Sequence, residues 1–211
     1  MVLPKPYLSY SQVDLWRKSP DRYRARYYRN EPAFENTETA FGKGIHEQLE
    51  NKDGKIGEHP ILSTVMRYPI AEHAIEVEIE GIPVFGKIDS YDPDLYAFID
   101  FKTGHAKKNG EPPWDALAVR KHDQLPWYSM MIKAKEGKVN NLCHLIWIET
   151  VFKKKTMEFD GEILEADVRE LELTGRVESF ERKIEEWERK RMKDLLIKTA
   201  YEIEEDYKKF R

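Results

Sequence analysis

The stretch from residue 75 to residue 104 constrains the fold more than any other part of the chain. From Ile75 onward, Ile and Val alternate with Glu, and this period of two predicts a half-buried β-strand. Two further strand patterns, GIPVFGKIDSYD and LYAFIDFKTG, follow at once, with turn residues at 81–83 and 93–96 between them. Three consecutive strands joined by short turns predict an antiparallel meander.

Two charged residues interrupt the apolar pattern of the third strand, AFIDFKTG. Side chains two positions apart in a strand point the same way, so Asp100 and Lys102 share one face while Ile99 and Phe101 take the other. An isolated pair of this kind is usually a surface salt bridge. If the second turn is a four-residue loop, however, Asp89 lies directly opposite Asp100, and two carboxylates and a lysine converge.

Two carboxylates this close would repel each other and raise the pKa of one of them. A divalent cation removes that repulsion, and oxygen ligands completed by water and phosphate are what Mg²⁺ prefers. Cys143 is the only cysteine, which excludes an internal disulfide and a cysteine cluster for zinc or for iron and sulfur. The sequence therefore predicts a metal site built from oxygen and imidazole ligands.

A basic helix is predicted before the meander. Ser19 is a suitable N-cap and is followed by proline, which predicts a helix from about residue 20 to 28. In the surrounding segment, 16–30, arginines such as Arg22 and Arg26 are interleaved with tyrosines. A surface that contacts phosphates and stacks on bases needs this combination. A solvated amphipathic helix explains it equally well.

The stretch TETAFGKGIHEQLEN predicts a second helix, with an apolar stripe at Phe41, Ile45 and Leu49. His46 lies next to this stripe, and Gly42 lies one turn earlier on the same side. A glycine inside a helix costs stability, which is reasonable where another part of the chain must approach closely. A histidine in such a position is more often a packed or surface residue than a ligand.

Further helices and a strand are predicted after the meander. A helix that begins near Asp123 places Gln124 and Tyr128 on one face. A strand is predicted from Leu142 to Phe152, with the next residues continuing it or pairing with it. From about Leu173, an intermittent apolar stripe among Lys, Arg and Glu predicts one long charged helix.

Composition limits the class of protein. A chain of 211 residues can form one sizeable core, so a single domain over 1–211 is expected. With 35 basic and 39 acidic residues, the formal charge of −4 argues against wrapping of nucleic acid by the whole surface but is compatible with a local basic groove. No long apolar run and no secretory pattern occur, so we expect a cytoplasmic protein without membrane association.

Four short motifs now stand in order along the chain: GKGIH (42–46), GKID (86–89), DFKTG (100–104) and QLPWY (124–128). Their order and spacing resemble the RecB-like exonuclease branch of the PD-(D/E)XK nuclease superfamily, whose motifs run G-x-x-x-H, G-x-x-D, D-x-K and Q-x-x-x-Y. The stretch LSYSQVDLWRKSPDRY also resembles the opening of these proteins. The resemblance covers residues 8–150. It implies an α/β fold with a PD-(D/E)XK restriction-endonuclease-like core, a mixed sheet flanked by helices, and here a C-terminal helical extension at 173–211.

The resemblance implies a role for each motif residue. Asp89 and Asp100 would bind the metal, together with the His46 imidazole and the backbone carbonyl of Phe101. Lys102 would orient the attacking water or help to deprotonate it, and would offset the charge that develops on the phosphate. Phosphodiester hydrolysis needs these contributions: an activated water, a Lewis acid on a nonbridging oxygen and a nearby cation.

The same resemblance implies contacts with the substrate. Gln124 and Tyr128 would support the site and the DNA backbone beside it. The composition of the basic helix, independently of the resemblance, makes Arg22 and Arg26 further candidates for contact with the substrate. Several relatives, among them CRISPR-associated and AddB-type nucleases, hold an iron-sulfur cluster through a cysteine just before the proline of the opening motif. Ser19 stands there in this chain, so we expect Mg²⁺ or Mn²⁺ and no iron-sulfur cluster.

The expected activity is metal-dependent hydrolysis of DNA by an exonuclease that acts on ends or single strands in replication, recombination or repair. A structure-specific endonuclease and a catalytically inactive nucleic-acid-binding module are the alternatives. The presence of every charged motif position argues against the inactive module. A homo-oligomer, or partner proteins of recombination or replication, would suit such an enzyme.

A few charged residues near the motifs have no settled role in the sequence. Glu76 and Glu78 precede the site on the first strand; Glu78 is a candidate additional ligand, although a solvent-facing position is the simpler interpretation of both. Lys87 shares the face of Asp89 and could contact phosphate or lie on the surface. His105 and His122 flank the motifs without an identifiable partner.

Overall fold

The computed structural model describes residues 1–32, 37–50, 60–159 and 162–210. Its helices and strands, in chain order and with one short 3-10 helix at Pro60–Thr64, are α1 Tyr10–Lys18, α2 Pro20–Tyr27, α3 Thr37–Glu50, β1 Ile70–Ile79, β2 Ile82–Asp92, β3 Ala97–Gly104, α4 Ala116–Arg120, α5 Gln124–Glu136, β4 Leu142–Phe159, β5 Glu162–Lys183 and α6 Glu186–Phe210. None of the described helices is both long enough and apolar enough to span a bilayer.

The strands form one mixed sheet in the order β1-β2-β3-β4-β5. β1, β2 and β3 are consecutive antiparallel strands, as the alternation predicts. β3 and β4 are parallel, so the chain must cross over between them, and it does so through α4 and α5. The predicted α/β architecture with a mixed sheet is confirmed.

Helices cover both faces of the sheet. Alternate residues of β3 point to opposite faces, and each set packs in a different apolar cluster. Ile99 and Phe101 pack with Ile45 and Leu49 of α3 in one buried cluster. Phe98 packs in the other cluster, which contains residues of α1, α2, α5 and α6. The sheet is therefore a divider between two apolar layers, and a polar side chain on β3 that points into either layer must be satisfied by specific neighbours.

The prediction of a single helix from Leu173 onward is wrong in its first part, and the C-terminal helical extension of 173–211 is correspondingly shorter. Residues up to Lys183 belong to β5, and the helix begins only at Glu186. Gly175, with φ +91°, lies where the β4–β5 register shifts. Leu173 and Val177 pack with the cluster that contains α3, whereas Phe180 packs with the cluster on the opposite face of the sheet. Spacings of four and three residues therefore imitate a helical stripe, although the apolar side chains serve two faces of one strand.

A buried polar network joins β5 and α6 to the connection between α4 and α5. Arg182 donates from Nη1 to the carbonyls of Val119 (2.7 Å) and His122 (2.8 Å), and from Nη2 to Glu188 Oε1 (2.5 Å). Arg182 is 6% and Glu188 4% exposed. The network fixes the main chain just before α5, the helix that carries the fourth sequence motif.

We expect Arg182→Leu to lower the free energy of unfolding by about 3–5 kcal/mol, because it leaves the Glu188 carboxylate and two carbonyls buried without a partner. Chemical unfolding followed by circular dichroism measures this change. Lys183→Leu is the matched control, since the ion pair of Lys183 with Glu185 is exposed, and its effect should stay within about 0.5 kcal/mol. Equal effects of the two substitutions would contradict a structural role for the network.

Candidate active site

The site forms where β2 and β3 separate. Their paired residues run from Asp92↔Ala97 to Ser90↔Ile99, and the next pair in this register would be Asp89 and Asp100. The connecting loop spans the four residues 93–96, the length that the sequence analysis required for this apposition. At the point of separation, the amide of Phe101 donates to Asp89 Oδ2 at 2.6 Å.

Asp100 is fully buried, with 0% exposure. Its Oδ2 lies 2.7 Å from Lys102 Nζ and 3.4 Å from His122 Nε2. Within the part of the chain that the structure describes, neither oxygen accepts a well-aligned hydrogen bond. Burial alone would raise the pKa of Asp100, but the Lys102 ammonium and the His122 ring outweigh burial, so its pKa lies below the usual value. A buried carboxylate that is held in its charged form, and whose Oδ1 accepts from no donor among the described residues, is a candidate cation ligand.

Three further donor groups meet beside this carboxylate. One ligand atom from each of His46, Glu72 and Asp89 lies within 4.8 Å of the others, an arrangement that could hold a metal ion. His46 Nδ1 is 3.5 Å from Asp89 Oδ1. The imidazole comes from α3 and the carboxylates come from β1 and β2, so three separate elements supply the cluster.

The two aspartates have opposite pKa shifts. Burial raises the pKa of Asp89, the hydrogen bond with His46 lowers it by less, and repulsion from Asp100 adds to the rise. Burial lowers the pKa of His46, but its contact with Asp89 outweighs burial and the pKa rises. One carboxylate is thus favoured in its charged form and the other disfavoured, as expected for two acids that share a site.

Glu72 is the ligand candidate that the sequence analysis missed. It lies between the pairs Ala71↔Ser90 and His73↔Ile88, so the β1–β2 register places it beside Asp89. Its φ of +48° is in the left-handed region, which costs a non-glycine residue of order 1–3 kcal/mol and is concentrated at functional sites. Counting back along β1 from the hairpin pair Ile79↔Ile82 would have identified it.

The structure gives the positions of the charged residues to which the sequence assigned no definite role. Glu76 and Glu78 are exposed on β1, which confirms the solvent-facing interpretation. Lys87 forms an ion pair with Glu72 and therefore borders the site. His105 lies elsewhere, with Nδ1 2.7 Å from the carbonyl oxygen of Thr150.

His122 is a second residue whose position the sequence did not reveal. Its ring contacts Asp100. The ring also packs against Trp114 in a T-shaped contact, with 5.0 Å between the ring centroids. Its carbonyl is held by the buried Arg182. The residue is thus fixed at both its main chain and its ring.

Lys102, Gln124 and Tyr128 form a hydrogen-bonded chain. Lys102 Nζ donates to Gln124 Oε1 at 3.1 Å, and Gln124 Nε2 donates to the Tyr128 hydroxyl at 2.9 Å. Burial raises the pKa of Tyr128, so its hydroxyl stays neutral. The third and fourth motifs therefore meet directly, and the amide oxygen of Gln124 holds the lysine ammonium in position next to Asp100.

The leading glycines of the first two motifs allow close packing around the site. A Cβ on Gly42 would lie 2.9 Å from Thr103 Oγ1 of β3, whereas a Cβ on Gly44 would meet nothing within 4 Å. A Cβ on Gly86 would lie 3.1 Å from Met131 Sδ and 3.2 Å from Tyr128 Cε1. The absence of side chains thus brings α3 against β3 and α5 against β2.

A comparison of Gly42→Ala with Gly44→Ala tests this packing. We expect Gly44→Ala to raise the free energy of unfolding by up to about 1 kcal/mol, the difference between the two residues inside a helix. Gly42→Ala should gain less than this or lose stability, because its methyl group displaces Thr103. Chemical unfolding measures both changes. In a Thr103→Ala background the two substitutions should become equivalent, and equal gains already in the wild-type background would refute the close approach.

The basic helix α2 is only partly free for a ligand. Tyr23 and Tyr28 are buried in the core, so the interpretation of these two tyrosines as base-stacking residues is wrong. Arg24 is also committed to the fold, because its guanidinium binds both oxygens of Asp206 on α6, at 2.9 and 2.8 Å. The helix turns these side chains inward toward α6.

The outward side of α2 faces a groove of about 970 Å³ that reaches the candidate site. The exposed Arg22 and Arg26 line it. Lys87, Gln124 and Tyr128 also line it; Lys87 pairs with Glu72, and Gln124 accepts from Lys102. The structure therefore brings all four predicted substrate-binding residues to one groove, next to the predicted catalytic residues.

Comparisons with solved structures identify proteins of similar fold. A phage-related exonuclease from Haemophilus somnus 129PT superposes with a TM-score of 0.55 at 12% identity, over 92% of this chain and 83% of its own. A protein from Eubacterium rectale assigned as an exonuclease superposes with a TM-score of 0.54 at 12% identity, over 94% of this chain and 80% of its own. No protein-family model and no curated protein matches the sequence. The chain thus has the fold of these nucleases.

Proposed function

We propose that this protein is a divalent-metal-dependent deoxyribonuclease of the RecB-like type, acting as an exonuclease in DNA replication, recombination or repair. The observation that carries the proposal is the buried Asp100 carboxylate, whose Oδ1 accepts no hydrogen bond from the described residues while its Oδ2 lies 2.7 Å from Lys102 Nζ. The two proteins of similar fold are both named as exonucleases, which supports the same class of activity.

The donor set suits Mg²⁺ or Mn²⁺. His46, Glu72 and Asp89, whose ligand atoms converge, would hold the ion. Asp100 and the Phe101 carbonyl would complete the ligand set that the motif resemblance implies. Carboxylate, carbonyl and imidazole donors without thiolate favour these hard cations. The bound ion would polarise the scissile phosphate and lower the pKa of the attacking water.

The remaining residues position the reactants. Lys102, held by Gln124, places a cation where negative charge develops on the phosphate. The Phe101 amide orients the Asp89 carboxylate, and His122 borders the buried face of Asp100. The groove with Arg22 and Arg26 attracts the DNA backbone toward these groups.

A cleavage time course on matched DNA molecules tests the proposal. The full chain is incubated with linear and covalently closed circular DNA, single- and double-stranded, in Mg²⁺, Mn²⁺ or EDTA. Metal-dependent loss of linear DNA alone is the expected result and identifies an exonuclease. Cutting of circles would instead identify an endonuclease. DNA binding without cleavage in any metal would identify an inactive binding module and overturn the proposal.

A further inference from the structure

The groove that leads to the candidate site carries aromatic rings that no role assigned so far explains. Tyr7 and Phe85 line it side by side, with 4.9 Å between their ring centroids, and Tyr27 lines it from α2. Tyr7 is 37% exposed. Large aromatic side chains open to solvent beside a site usually mark a binding surface.

The Tyr7–Phe85 pair is held rigidly. Leu8, the next residue along the chain, is fully buried, donates its amide to the Pro83 carbonyl and accepts from the Phe85 amide, both at 2.9 Å. This short parallel bridge fixes the N-terminal segment on the edge of β2. The main chain that carries the two rings is therefore fixed before a ligand arrives, which reduces the entropy lost on binding.

The same groove carries an excess of positive charge in a protein of net charge −4. Among the described residues, its charged lining consists of one carboxylate, Asp14, and the five cations Lys5, Lys18, Arg22, Arg26 and Lys87. Lys18 pairs with Asp14 and Lys87 with Glu72, so Lys5, Arg22 and Arg26 supply the positive charge for a bound phosphate backbone. The Arg26 guanidinium also lies 5.4 Å from the centroid of the Tyr27 ring. Cations that follow a groove and rings that interrupt them are the combination by which proteins hold a flexible nucleic-acid strand.

We propose that this groove binds single-stranded DNA, with unpaired bases stacked on Tyr7, Phe85 and Tyr27. The inference rests on the proposed function, to which it adds the form of the substrate. Stacking requires an exposed base face, which a single strand offers and a duplex buries between neighbouring base pairs. Arg22 and Arg26 take the phosphates of the bound strand, and the strand continues to Gln124 and Lys102.

Binding without metal tests the inference separately from catalysis. Fluorescence anisotropy in EDTA compares the full chain on a labelled single-stranded oligonucleotide and on a duplex of the same length. We expect tighter binding of the single strand. Tyr7→Leu and Phe85→Leu, which keep apolar volume but remove the aromatic face, should each weaken single-strand binding about 5- to 100-fold and leave duplex binding within about twofold. Tyr201→Leu is the control, because Tyr201 is a 56% exposed tyrosine on α6 outside the groove.

The outcomes separate the two proposals. Equal or tighter binding of the duplex, no binding of the single strand, or unchanged affinity in both leucine variants would overturn the inference even if the enzyme cleaves DNA. A preference for single strands that the leucine variants abolish would uphold the groove even if no metal supported cleavage, and the proposed nuclease activity alone would then fail. Thermal unfolding of each variant confirms that it remains folded.

Discussion

Lys102→Ala is expected to slow DNA cleavage by about 10²–10³-fold or more, the typical loss when one preorganised charge-stabilising group is removed. DNA affinity should change little, because Lys102 is one cation among several and the groove lysines and arginines remain. Its ammonium lies 2.7 Å from Asp100 and 3.1 Å from Gln124 Oε1, so it is fixed before the substrate arrives. The loss should therefore fall on the chemical step.

Single-turnover cleavage with protein in excess, together with anisotropy on the same oligonucleotide, separates these two quantities. Lys190→Ala is the control, since Lys190 forms an exposed ion pair with Asp194 on α6 and should leave both unchanged. A Lys102→Ala variant that cuts at the wild-type rate would remove the D-x-K pair from the mechanism. A variant that loses DNA binding to the same degree as cleavage would make Lys102 a substrate contact only.

The apposition of Asp89 and Asp100 was predictable because it depends on local information. The length of one turn sets the register of β2 and β3, and the period of a strand sets the face. The same logic applied to the preceding hairpin reaches Glu72. The alternation of apolar residues and Glu that identifies β1 begins only at Ile75, so it does not extend to Glu72, whose backbone has a left-handed φ.

His122 could not be predicted in the same way. Its ring reaches Asp100 only because the α4–α5 connection is held against β5, and the residue that holds it, Arg182, is 60 positions further along the chain. No local pattern encodes a contact of that separation. The strand β5 is a similar case: its apolar residues pack on both faces of the sheet at spacings that also suit a helix, and only its pairing with β4 makes this segment a strand.

The orientation of the side chains of α2 could not be predicted from the sequence for a different reason. Alternating arginines and tyrosines suit both a ligand-binding surface and a packed helix, and composition alone does not distinguish them. The structure divides them: Tyr23 and Tyr28 pack inward and Arg24 pairs with Asp206, while Arg22 and Arg26 face the groove. The decisive partner, α6, begins more than 150 residues later in the chain.

Asp89→Asn is expected to abolish the stabilisation of this protein by Mn²⁺ or Mg²⁺, and cleavage with it. The substitution keeps the shape of the side chain and an oxygen that can accept the Phe101 amide, so the fold should persist. Burial raises the pKa of Asp89, so the metal-free protein carries an unfavourable charge there. The metal-free variant should consequently be as stable as the wild type or more so.

Thermal unfolding across a metal titration measures this without any substrate. An ion that binds only the folded wild type at 100 times its Kd adds about 2.7 kcal/mol of stability, whereas the Asp89→Asn midpoint should not move. Glu78→Gln, an exposed carboxylate on β1, is the matched control and should respond as the wild type does. A metal response that survives in Asp89→Asn would place the ion elsewhere. A wild type that shows no response would contradict the metal site, and the charges of Asp89 and Asp100 would then be balanced by Lys102, His46 and His122, which contact them.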